Sequence, residues 1–291
     1  MTIYELSIIS TSGFPYYNKI LKPIPKGVKV FLRFFDFSKI IGENPPNDSA
    51  ELMFDLKAGL ISALFEFARN IDKRIKILEF KTKSSKEQNN ISNENEINSK
   101  GDLLITVTTE SYLLHNQIEK KIKIIYKEFI TSLIALDSAC EIPNNEQSNF
   151  IDILIDKKAR DHINDKEKEL NKKAIKLIND MEEYGLRGIV CTSFDLSPII
   201  CFSKANKYSL QDIDEILRNI GNIPDIKAYE WVYRQSLYNN KPIWIFIINS
   251  GAGVTVKDIF ESYYYLLLAE PNSYIGEFPV KLISELNQIL N

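Results

Sequence analysis

Cysteine is scarce in this chain of 291 residues: three occur, Cys140, Cys191 and Cys201, with no CxxC spacing among them. Neither a zinc site nor a disulfide scaffold is indicated, and redox chemistry is not expected of free cysteines that pack as small hydrophobes. Histidine is scarcer still, with only His115 and His162, so a His-rich metal or catalytic centre lacks its ligands. Long apolar runs are missing as well. The longest, Ile243–Ile248 and Tyr263–Ala269, fall far short of the about 20 residues a membrane span needs. The net charge of −3 and pI near 5.7 give no general electrostatic case for nucleic acid. The start, MTIYELSIIS, lacks the basic region and cleavage site of a signal peptide. These absences lead to the expectation of a soluble, cytoplasmic protein with no transmembrane segment.

Motifs for chemistry are missing too. There is no GxSxG elbow around Ser111 and His115. His162 stands beside Asp161 and Asp165 in a charged stretch that suits exposure. The glycine segment NSGAGVTVK, residues 249–257, lacks P-loop and dinucleotide-fold spacing. It reads as a strand-to-helix turn needing glycine dihedrals, or alternatively as a loop whose N–H groups hold a small anion or nucleotide. The acidic groups Asp212/Asp214/Glu215 and Glu182/Glu183 read as solvated helix faces. No catalytic residue, metal ligand or cofactor site is therefore assigned, and no cofactor is expected.

What is present is a patterned α+β chain with ordinary globular composition, 44% apolar and 26% charged. Tyr4–Ile9 and Phe14–Leu21 read as a hairpin, and Val28–Phe37 as a further strand. A helix is predicted after Pro45–Pro46, with one apolar stripe through Leu52, Leu56, Leu60, Leu64, Phe67 and Ile71 and a second through Phe54, Ala58, Ile61 and Phe65. Strands are predicted at Ile75–Phe80 and Asp102–Glu110, around a polar loop at residues 83–101. A helix from about Leu113 to Asp137 follows, then a turn-rich break at 141–149 and an exposed connecting helix ended by Gly185. The second half reads as a hairpin (Arg187–Ser193, Pro198–Ser203), a helix capped by Ser209, strands at Ile226–Arg234 and Pro242–Asn249, and two helices, VKDIFESYYYLLLA and about Val280–Leu290.

Two stretches echo one another: IISTSGFPYY from Ile8 and IVCTSFDLSPII from Ile189. Each is an apolar pair, a small residue, Thr-Ser, a short turn with Pro, then more apolar residues. The order hairpin, helix, strands, helix thus occurs twice, as in a duplicated architecture. YELSIISTSGFPYYNK, LKAGLISALFEFARNI and IKILEF in the first half, and GLRGIVCTSFDLSPIICFS in the second, resemble the longin and roadblock families. Those families share a five-stranded antiparallel sheet interrupted by a helix after its second strand. The resemblance implies two such modules, residues 1–140 and 186–291, joined by a helical connector at 141–185.

Tandem longin chains resemble archaeal or eukaryotic subunits that regulate small GTPases in membrane traffic. The resemblance therefore implies a non-enzymatic scaffold that binds or regulates a small GTPase, at most as a nucleotide-exchange factor. Such a protein acts as a homodimer or heterodimer, with peripheral membrane association through its partners. A structural subunit without GTPase contact is the alternative. Interaction residues are expected on the second stripe, Phe54, Ile61 and Phe65, which either packs under the protein's own helices or pairs with Leu210–Ile220. Tyr263, Tyr264 and Tyr265, on the predicted aromatic helix, are further contact candidates.

Overall fold

The protein is represented by a computed structural model that describes residues 2–10, 15–37, 62–64, 66, 68, 69, 103–130, 142 and 144–291. The chain divides into two compact units, one of Met1–Phe37 with Lys100–Asn291 and one of Ser38–Ser99. In the second unit the described residues are helical and Ala68 is buried. The strand expected at Ile75–Phe80 and the loop at 83–101 lie outside the described residues.

The first unit is α+β, built on two antiparallel sheets. Sheet A joins β1 (Ile3–Ser10), β2 (Pro15–Ile20), β3 (Val30–Asp36) and β4 (Leu103–Glu110) in the order β2-β1-β4-β3. Val28–Phe37 therefore does enter a sheet, at its edge among the described residues. Helix α1 (His115–Ile125) follows and continues into one wide helical turn, Tyr126–Ile130. Three helices come next: α2 (Asn144–Leu154), α3 (Lys157–Asp165) and α4 (Glu167–Asp180).

Sheet B consists of β5 (Leu186–Thr192), β6 (Pro198–Ser203), β7 (Trp231–Tyr238), β8 (Lys241–Val256) and β9 (Ile259–Ala269), ordered β6-β5-β9-β8-β7. Helix α5 (Leu210–Arg218) lies between its second and third strands, and α6 (Phe278–Leu290) follows the last.

The sheets share their irregularities. Register slips between Ile3 and Glu5 where β1 meets β4, and between Leu186 and Gly188 where β5 meets β9. It slips again between Ile8 and Ile9 in the first hairpin, and between Cys191 and Thr192 in the second. All of these positions correspond at one constant offset of 183 residues. At the same offset Pro15 opposes Ile9 and Pro198 opposes Thr192. Bulges set strand twist and side-chain direction, so matching bulges impose matching sheet geometry. Strand β3 takes the place in sheet A that β8 holds in sheet B: Phe31 opposes Thr109 as Trp244 opposes Ala269. Sheet A differs in having no helix in the short link between β2 and β3.

Each sheet buries one equivalent face under the helix that follows it. Leu6, Ile8, Ile105 and Val107 pack in one core with Ile118, Ile122 and Ile125 of α1. On sheet B, Ile189, Cys191, Tyr265 and Leu267 pack against Ile163 of α3, Leu170, Leu177 and Ile178 of α4, and Leu282 and Leu286 of α6. The opposite face of sheet B, with Val190, Ile245, Ile247, Leu266 and Leu268, buries Ile213, Ile216 and Leu217 of α5. Complete burial of such side chains is worth about 2 kcal/mol each. The core under α5 is continuous with that of sheet A. Because Ser209 and Asp212 form a reciprocal capping box at its start, α5 is also fixed at its N-terminus.

Two sequence expectations are corrected. Residues 259–269 form strand β9 and not a helix. As the central strand, paired to β5 and β8 and covered on both faces, it carries a continuous apolar run without the alternation of a half-exposed strand. The charged segment after residue 156 is not one exposed connecting helix. It is two helices, α3 and α4, whose thin apolar stripe is enough to close the core of sheet B, and the supposed break before it is helix α2.

Candidate interaction surface

The echoed turn of the second hairpin, Ser193–Ser197, is buried. Asp195 Oδ1 accepts from Ser193 Oγ at 2.7 Å and from Ser197 N–H at 2.9 Å, which closes the turn. Leu196 sits there at φ +75°, an unusual conformation for leucine that the surrounding bonds hold in place. The carboxylate of Asp195 pairs with Lys121 of α1, which also donates to Asp156 Oδ2 at 2.8 Å and to the Leu154 carbonyl at 3.2 Å. Leu114 N–H donates to the Asp195 carbonyl, and Thr2 and Ser197 share a hydroxyl hydrogen bond. Three residues of the first half, with Asp156 of the connector on Lys121, thus converge on a turn of the second. Its counterpart in the first hairpin, residues 11–14, lies outside the described residues.

One ammonium serves two carboxylates in this cluster, and the charges settle accordingly. Burial pushes the Asp156 carboxyl up to about 7, against the pull of Lys121. Burial also acts on Asp195, but Lys121 and the hydrogen bonds from Ser197 and Ser193 outweigh it and hold that carboxyl well below its usual range. Burial depresses Lys121 while both carboxylates raise it, and the carboxylates prevail.

A second polar joint ties α5 to the end of β4. Arg218 donates to both oxygens of buried Glu110, from Nε at 3.0 Å and from Nη2 at 2.6 Å, and Tyr4 donates its hydroxyl to the same carboxylate. Tyr112 Oη donates to Asp214 Oδ1 at 2.7 Å. Asp214 is therefore not simply a solvated helix residue, and burial raises its carboxyl. Asp212 works as the helix cap and Glu182 pairs with Lys204.

The histidines and cysteines are held by local contacts. His115 Nδ1 accepts from Arg33 Nη1 at 3.1 Å, which places the ring proton on Nε2, and the ring stacks on Phe35. His162 Nδ1 meets the Tyr263 hydroxyl at 2.7 Å. Cys191 and Cys201 sit on opposite faces, each opposed by an isoleucine or valine, so they do not face one another. Burial pushes both thiols up to about 12, away from reactivity. Segment 249–257 is a bulge inside β8 and a hairpin tip, not the start of a helix. Gly251 takes φ +69° there, and a Cβ at Gly253 would strike the Glu261 carbonyl at 1.9 Å. Two of its N–H groups are used locally, Gly251 donating to Asn249 Oδ1 and Ala252 to Ser250 Oγ. Among the described residues no group of His, Cys, Asp and Glu is placed to hold a metal, and no helix is long and apolar enough to cross a membrane.

The expected contact residues fare unevenly. Phe54, Ile61 and Phe65 lie outside the described residues. Tyr263, Tyr264 and Tyr265 are buried in β9, with Tyr263 and Tyr265 facing α3, α4 and α6, and Tyr264 facing the α5 side. They build the core and are not open to a partner.

Tyr16, Phe34 and Phe260 are exposed on other strands, and an exposed aromatic surface lies on β7. This strand ends sheet B, and among the described residues it pairs only with β8. Its alternation puts Val232, Ser236 and Tyr238 toward the α5 side and Trp231, Tyr233 and Leu237 on the other face. The latter three are 36%, 56% and 51% exposed. Tyr233 leans on Trp244 and Phe246 of β8, with ring centroids 5.7 and 6.0 Å apart. Tyr229, also exposed, precedes the strand. An outer strand with unpaired backbone and a row of large side chains is what other chains bind. The sequence signal for it was the alternation WVYRQSLY itself, which has apolar residues at both parities. No protein-family model matches this chain, and no curated protein matches it either.

Proposed function

We propose that the protein is a non-enzymatic scaffold of longin/roadblock type, built from two related modules, that recognises a folded protein partner through β7 and its aromatic face. The observation that carries the reading is the row Trp231, Tyr233 and Leu237 on an outer strand, backed by Trp244 and Phe246. The two-module part draws support from the shared bulges at an offset of 183 residues, and from the five antiparallel strands of sheet B with a helix after the second. The family resemblance points to a small GTPase as the partner, with the scaffold tethering it or acting on its nucleotide exchange, in a trafficking-type pathway. The structural-subunit reading shares the same surface and differs only in the partner.

The test is binding and nucleotide-exchange measurement against the small GTPases of the same organism, with wild type and a Trp231→Ser/Tyr233→Ser variant. Binding to at least one GTPase, lost in the variant while the fold persists, is the expected result. Absence of binding to all of them removes the GTPase reading.

A further inference from the structure

A cleft of about 520 Å³ opens in the first unit between β3, the start of α1, the loop after α5 and β7. Two arginines line it, and among the described residues no carboxylate lies within ion-pair distance of either, although the more distant Asp195 acts on Arg33. Arg33 is only 8% exposed, which makes a guanidinium without a paired carboxylate costly. Neutral groups hold it in place. Nε donates to Thr109 Oγ1 at 2.9 Å, Nη2 to the Leu113 carbonyl at 2.7 Å and Nη1 to His115 Nδ1, and the group lies over the Phe31 ring. Of its five N–H donors, that leaves two beyond the three engaged. Arg234 is held the same way, by the carbonyls of Asn222 and Tyr233.

The surroundings favour negative charge. Helix α1 begins at the cleft with neither a capping side chain nor an acidic residue in its first turn, so its positive end lies at the cleft. The one carboxylate among the lining residues, Asp225, accepts two hydrogen bonds from Asn116 Nδ2, at 2.9 and 3.1 Å. Phe31, Tyr112, Ile223 and Pro224 supply apolar wall. The volume lies in the range of small-molecule sites.

We infer that this cleft binds a phosphate group, carried by a small phosphomonoester whose organic part rests on the apolar wall. Two guanidiniums match the charge of about −2 on a phosphate monoester, where a carboxylate would offset only one. Arginine forks also bind phosphate oxygens in pairs. The inference stands apart from the β7 reading, since Trp231, Tyr233 and Leu237 do not line the cleft.

Isothermal titration of the full chain with phenyl phosphate and with inorganic phosphate, at constant ionic strength held by chloride, tests it. Saturable binding is expected, weakened at least about tenfold in both Arg33→Gln and Arg234→Gln. Tighter binding of phenyl phosphate assigns the phosphomonoester, and equal binding assigns free phosphate to the same site. Should Arg33→Gln fail to fold, the half-exposed Arg234→Gln decides alone. No saturable heat with either probe, or unchanged affinity in Arg234→Gln, overturns the inference.

Discussion

Lys121 shows how one residue can hold a two-sheet protein together. Its ammonium ends in a dry site between Asp156 and Asp195, and it is the only cation that either carboxylate contacts among the described residues. The two carboxylates then divide the pH range. Asp156 is raised on folding, so the native state takes up a proton, and stability falls as pH rises from about 4 to about 7. Asp195 is lowered on folding, so its contribution is full above about 4 and is lost below it. The net expectation is greatest stability near pH 4–5. Asp156→Asn should flatten the decline between pH 4 and 7, which amounts to roughly 3 kcal/mol in wild type. Urea denaturation across that range measures it, and a wild-type profile rising from pH 4 to 7 would show that Asp156 folds charged. None of this was visible in the sequence. Lys121 and Asp195 are 74 residues apart, and a lysine in an amphipathic helix reads as surface until its partners are placed.

At the level of elements, the same limit explains what was and was not readable. Periodicity found the hairpins, β4 and α5 with its Ser209 cap, because each carries a local signal. It failed for β9, where ESYYYLLLA is apolar on every side because both faces of the central strand are covered. It read the α3–α4 segment as helical but missed its break and its burial, which depends on the sheet the helices cover. The contact tyrosines were lost with the β9 error, and β7 took their place once the strand order identified it as an outer strand. Helix α5 owes its position partly to the Arg218–Glu110 pair. Removing Arg218 leaves Glu110 buried with only Tyr4 beside it. Arg218→Ala should therefore cost on the order of 3 kcal/mol. Replacing both residues, as Arg218→Met/Glu110→Gln, should recover part of that. A loss under about 0.5 kcal/mol for Arg218→Ala would mark the pair as an ordinary surface ion pair.

Over the whole first unit, the apolar core under α5 runs without a break into that of sheet A, and the Lys121 and Arg218 clusters cross the same junction. The two sheets are thus built on one pattern yet joined by chemistry particular to each. In sequence the Thr-Ser echo pairs Thr11 with Thr192 at an offset of 181, two residues off the 183 at which the bulges and Pro15 and Pro198 correspond. The shared sheet pattern therefore needed the strand register to be seen. What such a body offers to other molecules is its outer surface, where β7 presents Trp231, Tyr233 and Leu237 in a row. The most direct measurement is hydrogen–deuterium exchange of the chain alone and with any partner that the binding test finds. The account expects new protection over residues 231–238 and their β8 neighbours. Protection confined to other segments, with 231–238 exchanging as in the free chain, would contradict it.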